Sequence, residues 1–284
     1  MTTIAVTGAT GHLGRLAIAA LKLRAPGATI IALARDPAKV ADLGVQARSA
    51  DYSRPETLPA ALAGVDVLVL ISSSSFDDRA GQHRNVIAAA KQAGVKRIVY
   101  TSILKGDASP MKLALDHIET ETALRASGVP ATVLRNGWYT ENYTMNLGGA
   151  LAAGAVIGSS GQGRISAAPR ADYAEAIAVV AADDSHAGKT YELAGDTSFT
   201  LADYAAEVSK LAGKTIPYND LPEATYADIL KSFGLPEGFA MVLADSDIKA
   251  SKGSLQDDSH TLSKLIGRPT VPVQQTLAEA FKAM

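Results

Sequence analysis

Three glycines near the N-terminus carry the clearest chemical signal in the chain. They stand in Thr7-Gly8-Ala9-Thr10-Gly11-His12-Leu13-Gly14, between a short β-branched run and an Ala-rich stretch with helical character. That Gly-x-x-Gly-x-x-Gly spacing, between strand and helix, suits a dinucleotide pyrophosphate. The first glycine permits a tight turn and the second lets the backbone approach the phosphates. The third lets the helix pack close to the strand, and the helix N-terminus faces the anion. The step from first to second glycine is three residues here rather than two. Gly8, Ala9, Thr10, Gly11, His12, Leu13 and Gly14 are therefore cofactor-binding candidates. His12 reads as a solvent-facing or phosphate-side member of the loop, with no catalytic part.

The end of the second strand selects the dinucleotide. NAD sites place Asp or Glu there, about 20 residues on, for the ribose 2′-hydroxyl. Here Ile30-Ile-Ala-Leu33 runs into Ala34-Arg35-Asp36-Pro37, with Lys39 one turn on. Arg35 falls at the discriminating position, and its planar fork fits a 2′-phosphate, which points to NADPH with NADH weaker. Asp36 precedes Pro37 and reads as the N-cap of the next helix. Asp51 and Tyr52, just past the third strand, are expected to flank the adenine.

Ser72, Ser73 and Ser74 follow the fourth strand at the carboxyl end of the sheet, where open α/β folds bind ligands. Thr101-Ser102 ends the fifth strand on the same rim. His117 lies on the following helix, one turn before Glu121. Two readings of it are open: contact with the nicotinamide ribose or help with protonation, or a helix-face pair with Glu121. Asn136-Gly137-Trp138-Tyr139 follows the sixth strand and holds the only tryptophan. Its rings offer a flat wall for a planar ring system, or inter-lobe packing. Catalytic candidates are thus His117 and Tyr139, neither of them certain.

The elements that position these residues are legible from alternation. Short apolar strands are expected at Thr3–Thr7, Thr29–Leu33, Val45–Arg48, Val67–Ile71, Arg97–Thr101 and Ala131–Leu134. Helices are expected between them, near 12–23, 55–62, 79–93 and 111–127, two of them stopping on Gly94 and Gly128. The pattern predicts an α/β fold with a doubly wound parallel Rossmann sheet. Residues 1–135 form the NADP-binding domain on this reading. Residues 136–284 form a smaller α/β substrate-side lobe packed on it, folding with it as one unit. That lobe has helices near 171–183, 200–212, 222–232 and 272–282, a short strand at Thr190–Leu193, and too few strands for a sheet of its own.

Composition narrows the class further. The 284 residues are 47% apolar and 20% charged, with a net charge of -2 and no cysteine. Disorder, a disulfide scaffold, a thiol nucleophile and a Cys-ligated metal are excluded. The charge balance offers nothing to nucleic acid or an anionic surface. No apolar window reaches membrane-spanning length and no secretory leader is visible, so the expectation is a cytoplasmic protein with neither nucleic-acid nor membrane partner. Oligomeric state is not legible.

Several segments together resemble a known family. They are the glycine loop, Ile71-Ser-Ser-Ser-Ser75, Gln82-His83-Arg84-Asn85, Tyr100-Thr101-Ser102, His117-Ile-Glu-Thr-Glu121, Arg135-Asn-Gly-Trp-Tyr-Thr-Glu-Asn-Tyr143 and Ala250-Ser-Lys-Gly253. The chain is similar along essentially its whole length to the NmrA-like branch of the atypical short-chain dehydrogenases, in particular to its type 2 NAD(P)H:quinone oxidoreductases, with the triphenylmethane reductases close by. The resemblance implies that Asn136, Gly137, Trp138, Tyr139, Thr140 and Glu141 line the nicotinamide and substrate cleft. It also implies a cofactor contact for Arg164, which could equally be a solvated loop charge.

One departure from the wider superfamily matters most. Typical members carry Tyr-x-x-x-Lys, but none of the nine tyrosines here has lysine four residues later; Leu104 follows Tyr100 at that step. Alcohol–ketone exchange by a lysine-activated phenolate is therefore not expected. A quinone or similar planar acceptor can take hydride directly from a reduced nicotinamide, with no flavin and no metal. Two alternatives remain: a dinucleotide-binding redox sensor without turnover, and a reductase of triphenylmethane dyes.

Overall fold

The computed structural model describes residues 1–75 and 78–284. Its strands are β1 (Thr3–Val6), β2 (Thr29–Ala34), β3 (Gln46–Ser49), β4 (Val67–Leu70), β5 (Arg97–Ile103), β6 (Ala131–Asn136), β7 (Val156–Gly158), β8 (Thr190–Leu193) and β9 (Tyr218–Asp220). Its helices are α1 (His12–Arg24), α2 (Leu58–Leu62), α3 (Arg79–Gln92), α4 (Ala114–Ser127), α5 (Glu141–Thr144), α6 (Leu147–Ala153), α7 (Arg170–Ala182), α8 (Leu201–Ala212), α9 (Glu223–Ser232), α10 (Glu237–Ala250), α11 (Thr261–Ile266) and α12 (Val273–Lys282). Among the described residues, no helix is long and apolar enough to cross a membrane.

The chain divides into two compact units. The first comprises Met1–Gly106, Asp116–Asn136 and Arg170–Tyr191; the second comprises Asp107–Leu115, Gly137–Pro169 and Glu192–Met284. The sequence pattern draws one boundary near residue 135, but in the structure the chain leaves the first unit and returns to it. The physical reason lies in α7. From Tyr173 to Ala181 every residue except Glu175 is buried, and a helix with so narrow a polar face must be enclosed. It packs against α1.

A seven-stranded sheet runs in the order β3-β2-β1-β4-β5-β6-β8, and its strands β1 to β6 belong to the first unit. Its strands from β3 through β6 pair in parallel, with Ala5 facing Ile31 on one side and Leu68 on the other. The doubly wound expectation holds, because strands apolar on both faces need helices on both. One face buries Ile31, Leu33, Leu68, Leu70 and Ile98 against Leu58 and Leu62 of α2 and Val86 and Ile87 of α3. The strand order reverses between β1 and β4, and such a switch point opens a crevice at the carboxyl ends of the strands.

In the second unit, β7 and β9 pair in parallel, so this part of the chain does have a small sheet of its own, contrary to the sequence expectation. Three-residue strands, one inside a glycine-rich stretch, are too short to show a period of two. Helix α10 was also not legible. Its buried positions include Asp245, Ser246 and Asp247, so no apolar stripe marks it.

Candidate functional site

The glycine loop begins where β1 ends. Gly8 adopts φ +59°, a left-handed conformation that a side chain would strain. A Cβ on Gly14 would lie 2.3 Å from the Gly8 carbonyl oxygen, so only glycine lets α1 start this close to the loop. Gly11 differs: its backbone is extended, it is exposed, and a Cβ there would meet only Gly8 O, at 3.3 Å. No side chain caps α1 at Gly11, which leaves the first amides of a 13-residue helix open to an anion. Thr10, Gly11 and His12 are exposed, while Ala9 and Leu13 are buried anchors. The loop thus has the shape a pyrophosphate needs.

Arg35 stands at the end of β2 and is exposed. Asp36 accepts from the Ala38 amide at 3.1 Å and caps the turn over Pro37–Leu43, as its place before proline predicts. Asp51 accepts from Ser53, which holds its carboxyl below the ordinary value, and the Arg35 charge adds to that. The Tyr52 hydroxyl reaches inward beneath the loop, between Thr7 Oγ1 and the Ile71 carbonyl (2.9 Å). Thr7 Oγ1 in turn accepts from the Ile71 amide at 3.0 Å. Tyr52 therefore ties the rims of β1 and β4 together, a connection its sequence position did not suggest.

The serine segment after β4 is held from several sides. The Ser72 amide donates to Thr101 Oγ1 (2.9 Å), the Ser73 amide to His83 Nε2 (2.9 Å) and Ser73 Oγ to Gln82 Oε1 (2.6 Å). Ser74 is exposed. Ile71, which opens the segment, lies 3.5 Å from where a Gly8 Cβ would stand, so the glycine and serine loops adjoin at the switch point.

His117 is buried, with Nδ1 2.7 Å from the Tyr100 hydroxyl, and Glu121 is not its partner. Glu121 instead accepts from Ser102 Oγ (2.7 Å) and from both Nε (3.0 Å) and a terminal nitrogen (2.8 Å) of Arg135. Burial pushes the His117 imidazole well below its ordinary value, and the Arg79 charge adds to this; burial likewise pushes the Tyr100 phenol up. Both groups are neutral at pH 7. Leu104 stands at the fourth step after Tyr100, where the wider superfamily has lysine, and burial keeps the phenol protonated at pH 7.

In the second unit the Gly137 amide donates to Leu193 O (2.7 Å), and Tyr139 bridges Ala168 in parallel. Trp138 and Tyr139 are half-buried, while Thr140 is buried and Glu141 opens α5. Asn136, the last residue of β6, is buried in the first unit. Arg164 is exposed. Its Nε donates to Ser198 Oγ (2.7 Å) and a terminal nitrogen to Ser198 O (2.5 Å).

Sequence reasoning missed three features. Arg79, Gln82 and His83 converge on Ser73, although Gln82 and His83 stand in one of the segments that carried the family resemblance. Lys105, just past β5, has φ +69°, rare for a non-glycine residue; the Lys-Gly pair was its only signal. Asp247 is a buried carboxylate of the second unit with its pKa raised to about 6, and nothing in its sequence neighbourhood marks it. Among the described residues, no group of three or more histidines and carboxylates could hold a metal ion.

A doubly wound sheet with an uncapped glycine-loop helix at its switch point defines a Rossmann-type protein. The chain belongs to the NmrA-like family, which it matches over residues 1–265. It is 53% identical to quinone oxidoreductase 2 of Escherichia coli over 281 residues, 98% of each chain. The crystal structure of the E. coli NADPH-dependent quinone oxidoreductase with NADPH matches with a TM-score of 0.94, covering 98% of this chain and 99% of that one. The Citrobacter triphenylmethane reductase complexed with NADP(H) is 36% identical, with a TM-score of 0.92 over 98% of this chain and 99% of the other.

Proposed function

We propose that this protein is an NADPH-dependent quinone reductase. The observation that carries the cofactor half is the glycine loop: Gly14 brings α1 against Gly8, and the uncapped amides of α1 open beside the serine segment. The acceptor half rests on the 53% identity to a quinone oxidoreductase over nearly the whole chain. When bound, NADPH supplies hydride to the acceptor.

The chain's own residues bind, orient and enclose. Gly8, Ala9, Thr10, Gly11, His12, Leu13 and Gly14 receive the pyrophosphate, and Arg35 receives the 2′-phosphate, which makes NADH the weaker cofactor. Asp51 and Tyr52 border the adenosine end, and Ser72 to Ser74 border the ribose at the β4 rim. Asn136, Gly137, Thr140 and Glu141 shape the run that presents Trp138 and Tyr139 as aromatic surface for a planar acceptor. Arg164 acts through Ser198, ordering the loop before α8. With Tyr100 and His117 both neutral and paired to each other, the proton that completes the hydroquinone comes from water.

Anaerobic oxidation of NADPH with a simple benzoquinone, using purified protein carrying no flavin or metal, tests this reading. Stoichiometric hydroquinone formation is expected. Tight NADPH binding without turnover on any quinone would replace it with the redox-sensor reading, and turnover on triphenylmethane dyes alone with the dye-reductase one.

A further inference from the structure

Ser73 has every polar group engaged, and three of its partners come from the first turns of one helix. Its amide donates to His83 Nε2 (2.9 Å), its carbonyl accepts from Arg79 Nε (2.7 Å), and its hydroxyl donates to Gln82 Oε1 (2.6 Å) while accepting from the Ser75 amide (3.1 Å). His83 is fully buried and Arg79 nearly so, at 4% exposure. Segment 72–75 has no regular secondary structure, so these side chains do for it what a ladder does for a strand.

The histidine's protonation follows from its partners. A backbone amide can only donate, so Nε2 presents its lone pair to Ser73. Nδ1 then carries the hydrogen and donates to Thr120 Oγ1 (2.8 Å), whose own hydrogen goes to the Asp116 carbonyl (2.8 Å). Burial and the neighbouring Arg79 charge lower the imidazole to about 3, so the lone pair stays available throughout the physiological range. The segment so held begins at Ile71, against Gly8.

We propose that His83 is a positioning residue for the dinucleotide: through the Ser73 amide it presets the serine segment beside the glycine loop, and NADPH affinity depends on that hydrogen bond. The proposal rests on the NADPH reading above. A loop ordered before the ligand arrives does not have to be ordered by it, and that difference appears as affinity.

Two near-isosteres separate the ring's two jobs. His83→Gln places an amide oxygen near the Nε2 position and can still accept from Ser73. His83→Asn reaches only the Nδ1 position, keeps a donor for Thr120 and leaves the Ser73 amide unmet. Full-chain variants are titrated with NADPH, with thermal melting alongside and kcat measured at saturating NADPH. An unmet buried donor predicts a roughly 5- to 150-fold weaker NADPH affinity for His83→Asn. KM for NADPH should rise in step, while kcat and KM for quinone stay near wild type, and His83→Gln should bind NADPH much as wild type does.

Equal affinity of wild type and His83→Asn overturns the proposal, and so does equal weakening by both variants, which would mean packing alone. A wild type that binds no NADPH removes the functional reading beneath it and the proposal with it. Should His83→Asn fail to fold, long-range 1H–15N spectra of the wild type decide. Nε2 should be unprotonated from pH 8 to 5, and its resonance and that of the Ser73 amide should shift on NADPH saturation. A protonated Nε2, or resonances indifferent to NADPH, would refute it.

Discussion

Asp247 is a buried carboxylate that the fold keeps at a cost, and the cost can be measured. It sits on α10, 8% exposed, with Oδ2 accepting from the Ser159 amide at 3.0 Å. Burial raises its pKa from 3.8 to about 6 against the Ser159 hydrogen bond, and the Asp220 carboxylate adds to the rise. The Asp247 charge acts on Tyr143 and Tyr226, whose phenols burial already pushes up, so neither carries charge at neutral pH. The folded pKa lies above the unfolded one. Well below pH 4 the group is protonated in both states and costs nothing. As pH rises from 4 to 6 the unfolded chain ionises first, and stability falls. Well above pH 6 the loss is complete, at about two pKa units or roughly 3 kcal/mol.

Asp247→Asn keeps an oxygen for the Ser159 amide and removes the charge. The variant should therefore melt on the order of 6–12 °C higher than wild type at pH 7.5, at about 2–4 °C per kcal/mol for a chain of this size. The difference should shrink toward zero near pH 4. Comparing the two proteins at each pH cancels the surface carboxylates whose pKa values are depressed, such as Asp42, Asp66 and Asp203. Melting curves by circular dichroism from pH 4 to 8 supply the assay. A Tm difference that does not change with pH, or a variant less stable at pH 7.5, would refute the reasoning.

Three further outcomes are expected. Gly11→Val should fold normally yet lose most NADPH affinity, whereas Gly14→Ala, whose Cβ would meet Gly8 O at 2.3 Å, should lower both Tm and affinity, with overpacking worth about 1–3 kcal/mol; circular dichroism and NADPH titration separate them. Arg35→Glu should weaken NADPH by about 10- to 150-fold and leave NADH nearly unchanged in paired titrations, the worth of a hydrogen bond to a charged group. Trp138→Ala should lower kcat/KM for quinone in steady-state assays while NADPH affinity stays close to wild type.

What the amino-acid order determined by itself is local. Thr3–Val6, Thr29–Ala34 and Val67–Leu70 announce themselves because strands buried on both faces must be apolar at every position. The glycine loop is legible for a similar reason: positive φ at Gly8 and the close approach at Gly14 each demand a missing side chain, and residue type records that demand directly. Asp36 before Pro37 marks its own cap. Partnerships between distant residues leave no such record. His117 and Glu121 stand one helical turn apart, yet one turns to Tyr100 and the other to Ser102 and Arg135, because burial inside the first unit offers those partners. Nothing in the sequence around Arg164 announces Ser198, 34 residues on, as its hydrogen-bond partner. The return of α7 to the first unit, the buried polar face of α10 and the grip of α3 on Ser73 are tertiary decisions of the same kind. Spacing along the chain reports what one element requires of its own backbone, whereas burial, which sets charge states and hydrogen-bond partners, exists only once elements from remote parts of the chain have closed around a group.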